Sequence, residues 1–225
     1  MMGSIKDKVA IIGMGCTKFG ENWDMSFDDM VIEAVYEAFA DSGMAEKDLE
    51  AVWIGSYWSN LPAPSQPLAT TLKLDYKPIT RVENMCATAS DALRNAVYAV
   101  ASGAYDVALA IGAEKLKDSG VSGLPTDDLA MGLVSTAPNT FRSRNFTAPG
   151  HFAMMAVKYF EKYGLSPEEG RKMLARIMVK NHKNGLLAPN AHFKMEITEE
   201  QVLKAPMVAW PLGLLDCCGV SDGAA

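Results

Sequence analysis

The stretch VENMCATASDALRNAVYAVASGAYDVALAIG, residues 82–112, decides the reading of the fold. It holds, in order, the end of a β-like run, a cysteine, a periodic helical segment and a second apolar run. Over residues 88–102 the apolar Ala89, Ala92, Leu93, Ala96, Val97 and Val100 recur at the three- and four-residue spacing of one helix face, and Gly103 follows as a stop signal. Residues 106–112 (DVALAIG) then carry an apolar run that does not alternate, the pattern of a strand covered on both faces. A strand, a helix and a buried strand in this order predict an α/β fold with a largely buried sheet.

Upstream, residues 8–12 (KVAII), 51–55 (AVWIG) and 79–83 read as strands, and residues 66–74 as a short helix. A longer helix is expected from Ser26 or Asp28, either of which can cap it, to Ser42, with Gly43 as its stop. Met30, Val31, Ala34, Val35 and Ala38 share one of its faces. Downstream, residues 115–150 change to Gly, Ser, Thr, Pro and Asp with no clear period, a texture expected of a functional excursion. Helices are expected over 149–163, 167–184 and 198–204, before β-like texture returns in APMVAWPLGLLDCCGVSDGAA, residues 205–225. The pattern predicts a core of residues 1–116 and 206–225 interrupted by a mostly helical insertion over 117–205.

With 225 residues, 49% of them hydrophobic, the chain can bury a sizeable core. A net charge of −6 and scattered lysines and arginines argue against nucleic acid as a partner. No apolar run approaches the roughly 20 residues of a membrane span, and MMGSIKDKV lacks the apolar stretch of a signal peptide, so a cytoplasmic location is expected. Cys16, Cys86, Cys217 and Cys218 have no C-x-x-C spacing and are expected to be reduced. With only His151, His182 and His192 to join them, no zinc spacing forms and no metal is expected.

Cys86 lies between a strand and a helix N-terminus, where unpaired N–H groups carry partial positive charge. Such a site favours thiolate, the nucleophilic form, and its amides could hold an oxyanion. Ala87, Ala89 and Ala92 leave room for an acyl group or a second helix. A buried free thiol fits the spacing as well, and spacing alone leaves the choice open. The glycines of IIGMGCTKFG miss the dinucleotide fingerprint, since Lys18 stands where its third glycine would be, and a tight strand-to-loop turn accounts for them. In DCC, adjacent cysteines point differently, so packing explains Cys217 and Cys218. His182, with Lys180 and Lys183, suits a helix C-terminus closed by Gly185, while His151 falls near a helix start and His192 in a loop. Arg142 and Arg144, in FRSRNF, could grip the phosphates of an anionic carrier. Met85, Met131 and Phe146 are candidates for an apolar pocket.

Taken together, VENMCATASDALRNAVYAVASGAYDVALAIGAEKL, KNHKNGLLAPNAHF and PLGLLDCCGVSDGAA resemble the thiolase family, within it the branch of sterol carrier protein X and the archaeal acetoacetyl-CoA thiolases. The resemblance spans essentially the whole chain. It implies a thiolase-like fold, a mixed five-stranded sheet with helices on both faces (βαβαβαββ) carrying an inserted loop domain. It also implies that Cys86 is acylated by an acyl-CoA, with thiolytic cleavage of a 3-oxoacyl-CoA or the reverse Claisen condensation as the chemistry. Coenzyme A and its thioesters would be substrates, with no bound cofactor; Arg142, Arg144 and Met131 become candidate CoA contacts. A homodimer or higher assembly is implied, and a small partner subunit of zinc-ribbon and OB-like fold is possible in this branch. Retro-aldolases of the same fold, or a non-catalytic subunit, are the alternatives. The family's oxyanion-hole Asn or His motif, activating histidine and second cysteine belong to a second half that has no counterpart here. The chain is therefore expected to be an N-terminal portion without the parts for turnover, with Ser221 and Asp222 placed to cap a following helix.

Overall fold

The computed structural model describes residues 4–57, 65–119 and 148–225. In chain order its elements are helix α1 (Phe27–Ser42), strand β1 (Ala51–Gly55), α2 (Ser65–Thr71), β2 (Ile79–Val82), α3 (Thr88–Ala101), β3 (Ala108–Glu114), α4 (Ala148–Tyr163), α5 (Pro167–Leu187), α6 (Glu199–Lys204), β4 (Met207–Ala209), β5 (Leu212–Gly213) and β6 (Gly223–Ala224). They fall into two compact units, Met1–Gly120 with Ser221–Ala225, and Val121–Val220.

In the first unit a mixed sheet has the order β2-β1-β3-β6. β1 runs parallel to both β2 and β3, and β6 pairs antiparallel to β3. Side chains alternate across it. Val52, Ile54 and Ile111 join Met30, Val31 and Val35 of α1, Leu68 of α2 and Leu72 just after it in the main core. The opposite face meets α3 through two glycines. A Cβ on Gly55 would lie 2.7 Å from the Thr88 carbonyl oxygen, and one on Gly112 would lie 2.3 Å from the Ala89 Cβ. These positions let α3 rest directly on β1 and β3.

α1 begins where expected: the Ser26 hydroxyl accepts from the Asp29 N–H, and the Asp29 carboxylate accepts in return from the Ser26 N–H. It ends at Gly43, which takes the left-handed conformation. Residues 8–12, read as the first strand, are not paired into the sheet. The segment 9–16 instead lies along α1. The Met14 N–H donates to Asp41 at 3.0 Å and the Cys16 N–H to Glu37 at 2.7 Å. Gly13 and Gly15 permit this approach, since Cβ atoms there would sit 2.5 Å from the Ala38 oxygen and 1.9 Å from the Ala34 oxygen. Their role is contact with a helix, where a tight turn was expected. Just beyond its end the chain joins the strands, through Thr17 N–H to Ala224 O at 3.0 Å and the Gly20–Asp222 bridge.

The second unit contains α4 to α6 and the hairpin β4–β5, with a cis peptide at Trp210–Pro211. Ala175, Ile197 and Val202 form its small core. α5 has a Ser166–Glu169 capping box and runs on to Leu187, so Gly185 is interior to the helix and not its stop. A Cβ on Gly185 would come within 3.1 Å of the Phe193 carbonyl oxygen, which is the constraint that glycine meets. Among the described residues no helix is long and apolar enough to cross a membrane, and no three His, Cys, Asp or Glu side chains cluster as a metal site would require.

Candidate active site

Because β1, β2 and β3 are parallel, they deliver the residues at their carboxyl ends to one edge of the sheet, where open α/β sheets commonly carry their sites. Ser56 and Tyr57 follow β1, Glu83 follows β2, and Glu114 closes β3. Arg81 ties two of these ends together, donating from its guanidinium to the Ser56 carbonyl oxygen at 2.9 and 3.3 Å. The Tyr57 N–H donates to the Glu114 carboxylate.

Cys86 sits in the 3-10 turn Met85–Ala87 that leads directly into α3, and it is exposed. The turn is closely held. Met85 adopts a left-handed φ of 48°, a conformation that costs a non-glycine residue about 1–3 kcal/mol and persists where neighbours enforce it. Those neighbours are Glu83, which accepts from the Met85 N–H at 2.5 Å, and Thr88, whose hydroxyl donates to the Met85 oxygen at 2.5 Å and accepts from the Asn84 N–H at 2.8 Å. The sequence left a core thiol and an accessible thiol both open; the structure presents an accessible one.

Tyr57 is the nearby residue that sequence patterning missed. Its phenol is held above the ordinary tyrosine value, first by burial and then by its electrostatic neighbours Glu83, Cys86 and Glu114. A phenol kept neutral beside an anionic cluster remains a hydrogen-bond donor. The signal that could have found it is positional, since it lies two residues beyond a parallel strand. The Ser56 hydroxyl is fully buried with no hydrogen-bond partner among the described residues.

Asp222 was expected to cap a following helix; strand β6 follows it directly, and it is wholly buried and pairs with Lys115 at 2.8 Å, while accepting from the main-chain N–H groups of Lys117 at 2.8 Å and Asn22 at 3.3 Å. Lys115 also pairs with Asp118 at 2.9 Å.

His151 is an exposed residue of α4. The Nδ1 atom of His182 meets the Met195 oxygen at 3.3 Å, several residues before α5 ends. His192 stacks on Phe193 with centroids 4.2 Å apart. Cys217 bonds to the Gly213 oxygen at 3.4 Å, and burial followed by Asp216 and Cys218 raises its thiol above the ordinary value, which suits packing. Arg142, Arg144, Met131 and Phe146 lie outside the described residues.

The strand–Cys86–helix arrangement agrees with the family comparison, in which the family described as thiolase, N-terminal domain, matches residues 9–225. The chain belongs to the thiolase family. It is 38% identical over 222 residues to an acetyl-CoA acetyltransferase of Methanothermobacter thermautotrophicus, covering 96% of this chain and 55% of the relative. It is 39% identical over 222 residues to an acetyl-CoA acetyltransferase of Methanocaldococcus jannaschii, covering 96% and 54%. This thiolase chain thus spans about half the length of these curated relatives. Among solved structures, an Ltp2–ChsH2(DUF35) aldolase superposes with a TM-score of 0.70 at 25% identity, over 96% of this chain and 53% of that one.

Proposed function

We propose that the protein acts as a thiolase-type acyltransferase in which Cys86 is the acyl acceptor. The observation that carries this reading is an exposed thiol held by a constrained turn at the N-terminus of α3, on the carboxyl edge of a parallel sheet. The archaeal relatives named as acetyl-CoA acetyltransferases support it. In the acylation step the Cys86 thiolate attacks the carbonyl carbon of an acyl-CoA. The new S–C bond forms as the bond to the CoA sulfur breaks, and the departing CoA thiolate takes up a proton from solvent. For a 3-oxoacyl-CoA the bond broken is carbon–carbon, and the proton goes to the leaving acetyl-CoA carbanion. CoA thiol then regenerates the cysteine by attacking the acyl-enzyme.

Residues 117–205 are assigned as an inserted domain of this enzyme, with Arg142 and Arg144 as contacts for CoA phosphates and Met131 as a contact for the apolar end of the substrate. The assembly expected is a homodimer or larger, and the DUF35 component of the superposing aldolase favours a small partner subunit. Incubation with acetyl-CoA labelled in the acetyl group, followed by peptide mass analysis, should place the label on the peptide containing Cys86, and Cys86→Ser should remove it. Label retained in that variant, or none in the parent protein, rules the assignment out.

A retro-aldol reaction is the second reading, favoured by the superposition on a structure named as an aldolase. Release of free aldehyde or ketone from a 3-hydroxyacyl-CoA, without thiolysis of a 3-oxoacyl-CoA, would select it.

A further inference from the structure

We propose that Tyr57 selects the acyl group loaded on Cys86: its ring limits the width of that group, and its hydroxyl donates a hydrogen bond to an acceptor the group carries beyond its thioester carbonyl. The inference rests on Cys86 as acyl acceptor and adds a residue that binds the group it accepts. The bonds made and broken in acylation are unchanged by it.

Strand register places Tyr57 there. Gly55 of β1 lies opposite Gly112 of β3, and a Cβ on either would press on the first turn of α3, at Thr88 or Ala89. These two positions mark the α3 side of the sheet. Val52, Ile54, Ile111 and Ala113 fill the core on the other side. Because side chains alternate along a strand, Glu114 returns to the α3 side one step beyond Gly112. Ser56 is fully buried and continues the row of Val52 and Ile54, so Tyr57 comes round to the side of Gly55. The contact of the Tyr57 N–H with the Glu114 carboxylate sets these two residues side by side. At their level α3 has not yet begun, and the turn Met85–Ala87 carries Cys86. The electrostatic neighbours of the phenol are accordingly Glu83, Cys86 and Glu114, one from each strand end and one from the turn.

Around the thiol the other positions are small. Ala87 and Ala89 flank it along the chain, and Gly55 and Gly112 form the row of the sheet beneath α3. Tyr57, half-buried, is the wide ring at the level of the turn. Of the phenol and the two carboxylates, the phenol is the group able to donate, since an ionised carboxylate only accepts and Glu83 already accepts from the Met85 N–H. A site that offers a buried donor discriminates sharply against a ligand lacking the matching acceptor, because the donor is then left unpaired. The acyl class this fits is narrow and carries an oxygen of its own, as a keto, hydroxy or ether group.

Butanoyl-CoA and methoxyacetyl-CoA carry acyl groups of equal length, one with a methylene where the other has an ether oxygen. Labelling of the Cys86 peptide by each is followed by mass analysis in the parent protein and in Tyr57→Phe, which keeps the ring; intrinsic thioester reactivity cancels when the ratios are compared. The methoxyacetyl-to-butanoyl ratio should fall by about three- to tenfold in the variant, the worth of one neutral hydrogen bond. In Tyr57→Ala, or in Tyr57→Leu should the alanine variant not fold, the ratio of benzoyl to acetyl labelling should rise by about tenfold or more. Width is also read without acyl transfer, since N-phenylmaleimide should gain on N-ethylmaleimide at Cys86 in the same variant. Absence of acyl label on Cys86 in the parent refutes the acyl-acceptor reading and the selection with it, whereas a labelled parent with unchanged ratios overturns the role of Tyr57 alone.

Discussion

Gly55 shows how a single position governs the site. Its missing side chain lets the start of α3 lie against the end of β1, and any Cβ there would press on the Thr88 carbonyl at 2.7 Å. Thr88 in turn holds the Met85 turn that carries Cys86. Gly55→Ala should therefore displace the thiol as well as strain the core. The expected outcome is a loss of about 1–3 kcal/mol, the usual range for overpacking, measured by urea unfolding, together with slower labelling of Cys86 by acetyl-CoA. Asp222 is a second such position. Replacing it with Asn leaves Lys115, 6% exposed, without its buried counter-charge, a change that typically costs about 3–5 kcal/mol. The variant should show a correspondingly lower urea midpoint with an unchanged denaturant slope.

At the level of elements, local chemistry carries most of the boundaries. Ser26→Ala removes the side-chain half of the α1 cap and should cost about 1 kcal/mol in urea unfolding, with the helix boundary otherwise retained. That cap, the Gly43 stop, β1 at residues 51–55 and the α3 periodicity are legible in the sequence because each depends on near neighbours. The departures have non-local causes. Residues 8–12 have strand composition but are not paired into the sheet, and the chain just after them is drawn to α1, where Asp41 and Glu37 hold Met14 and Cys16 from more than twenty residues away. Gly185 reads as a helix stop, yet its absent side chain serves the approach of Phe193. Cys86 was legible as a junction residue; its exposure depends on how α3 rests on two strands, and the gathering of Tyr57, Glu83 and Glu114 follows only from the parallel pairing of β1 with β2 and β3.

At the scale of the whole molecule, the first unit is closed by contacts between distant parts of the chain, with Asn22, Lys115, Lys117 and Asp222 meeting around one buried carboxylate. This arrangement sets a pH dependence. Burial pulls the Asp222 carboxyl upward, but hydrogen bonds from Lys115 and Lys117 and the Lys115 charge outweigh it, leaving the group below the ordinary aspartate value. Burial likewise pulls Lys115 down, while Asp222 and Asp118 more than offset it and raise the ammonium above its ordinary value. A lowered carboxylate contributes stability above its unfolded value, near pH 4, and that contribution is lost as pH falls through the lower folded value. A raised lysine contributes below its unfolded value, near pH 10.4, and its contribution disappears as pH rises through the folded one; the raised Tyr57 phenol acts in the same direction from about pH 10. Unfolding free energy from these groups should thus be level between about pH 5 and pH 9 and fall on both sides. Urea midpoints measured from pH 2 to pH 11 should trace that plateau. In Asp222→Asn the acid-side fall should become shallower relative to the lower plateau, because the carboxylate whose protonation drives it is gone. An acid limb of unchanged steepness in that variant would show that other carboxylates control it.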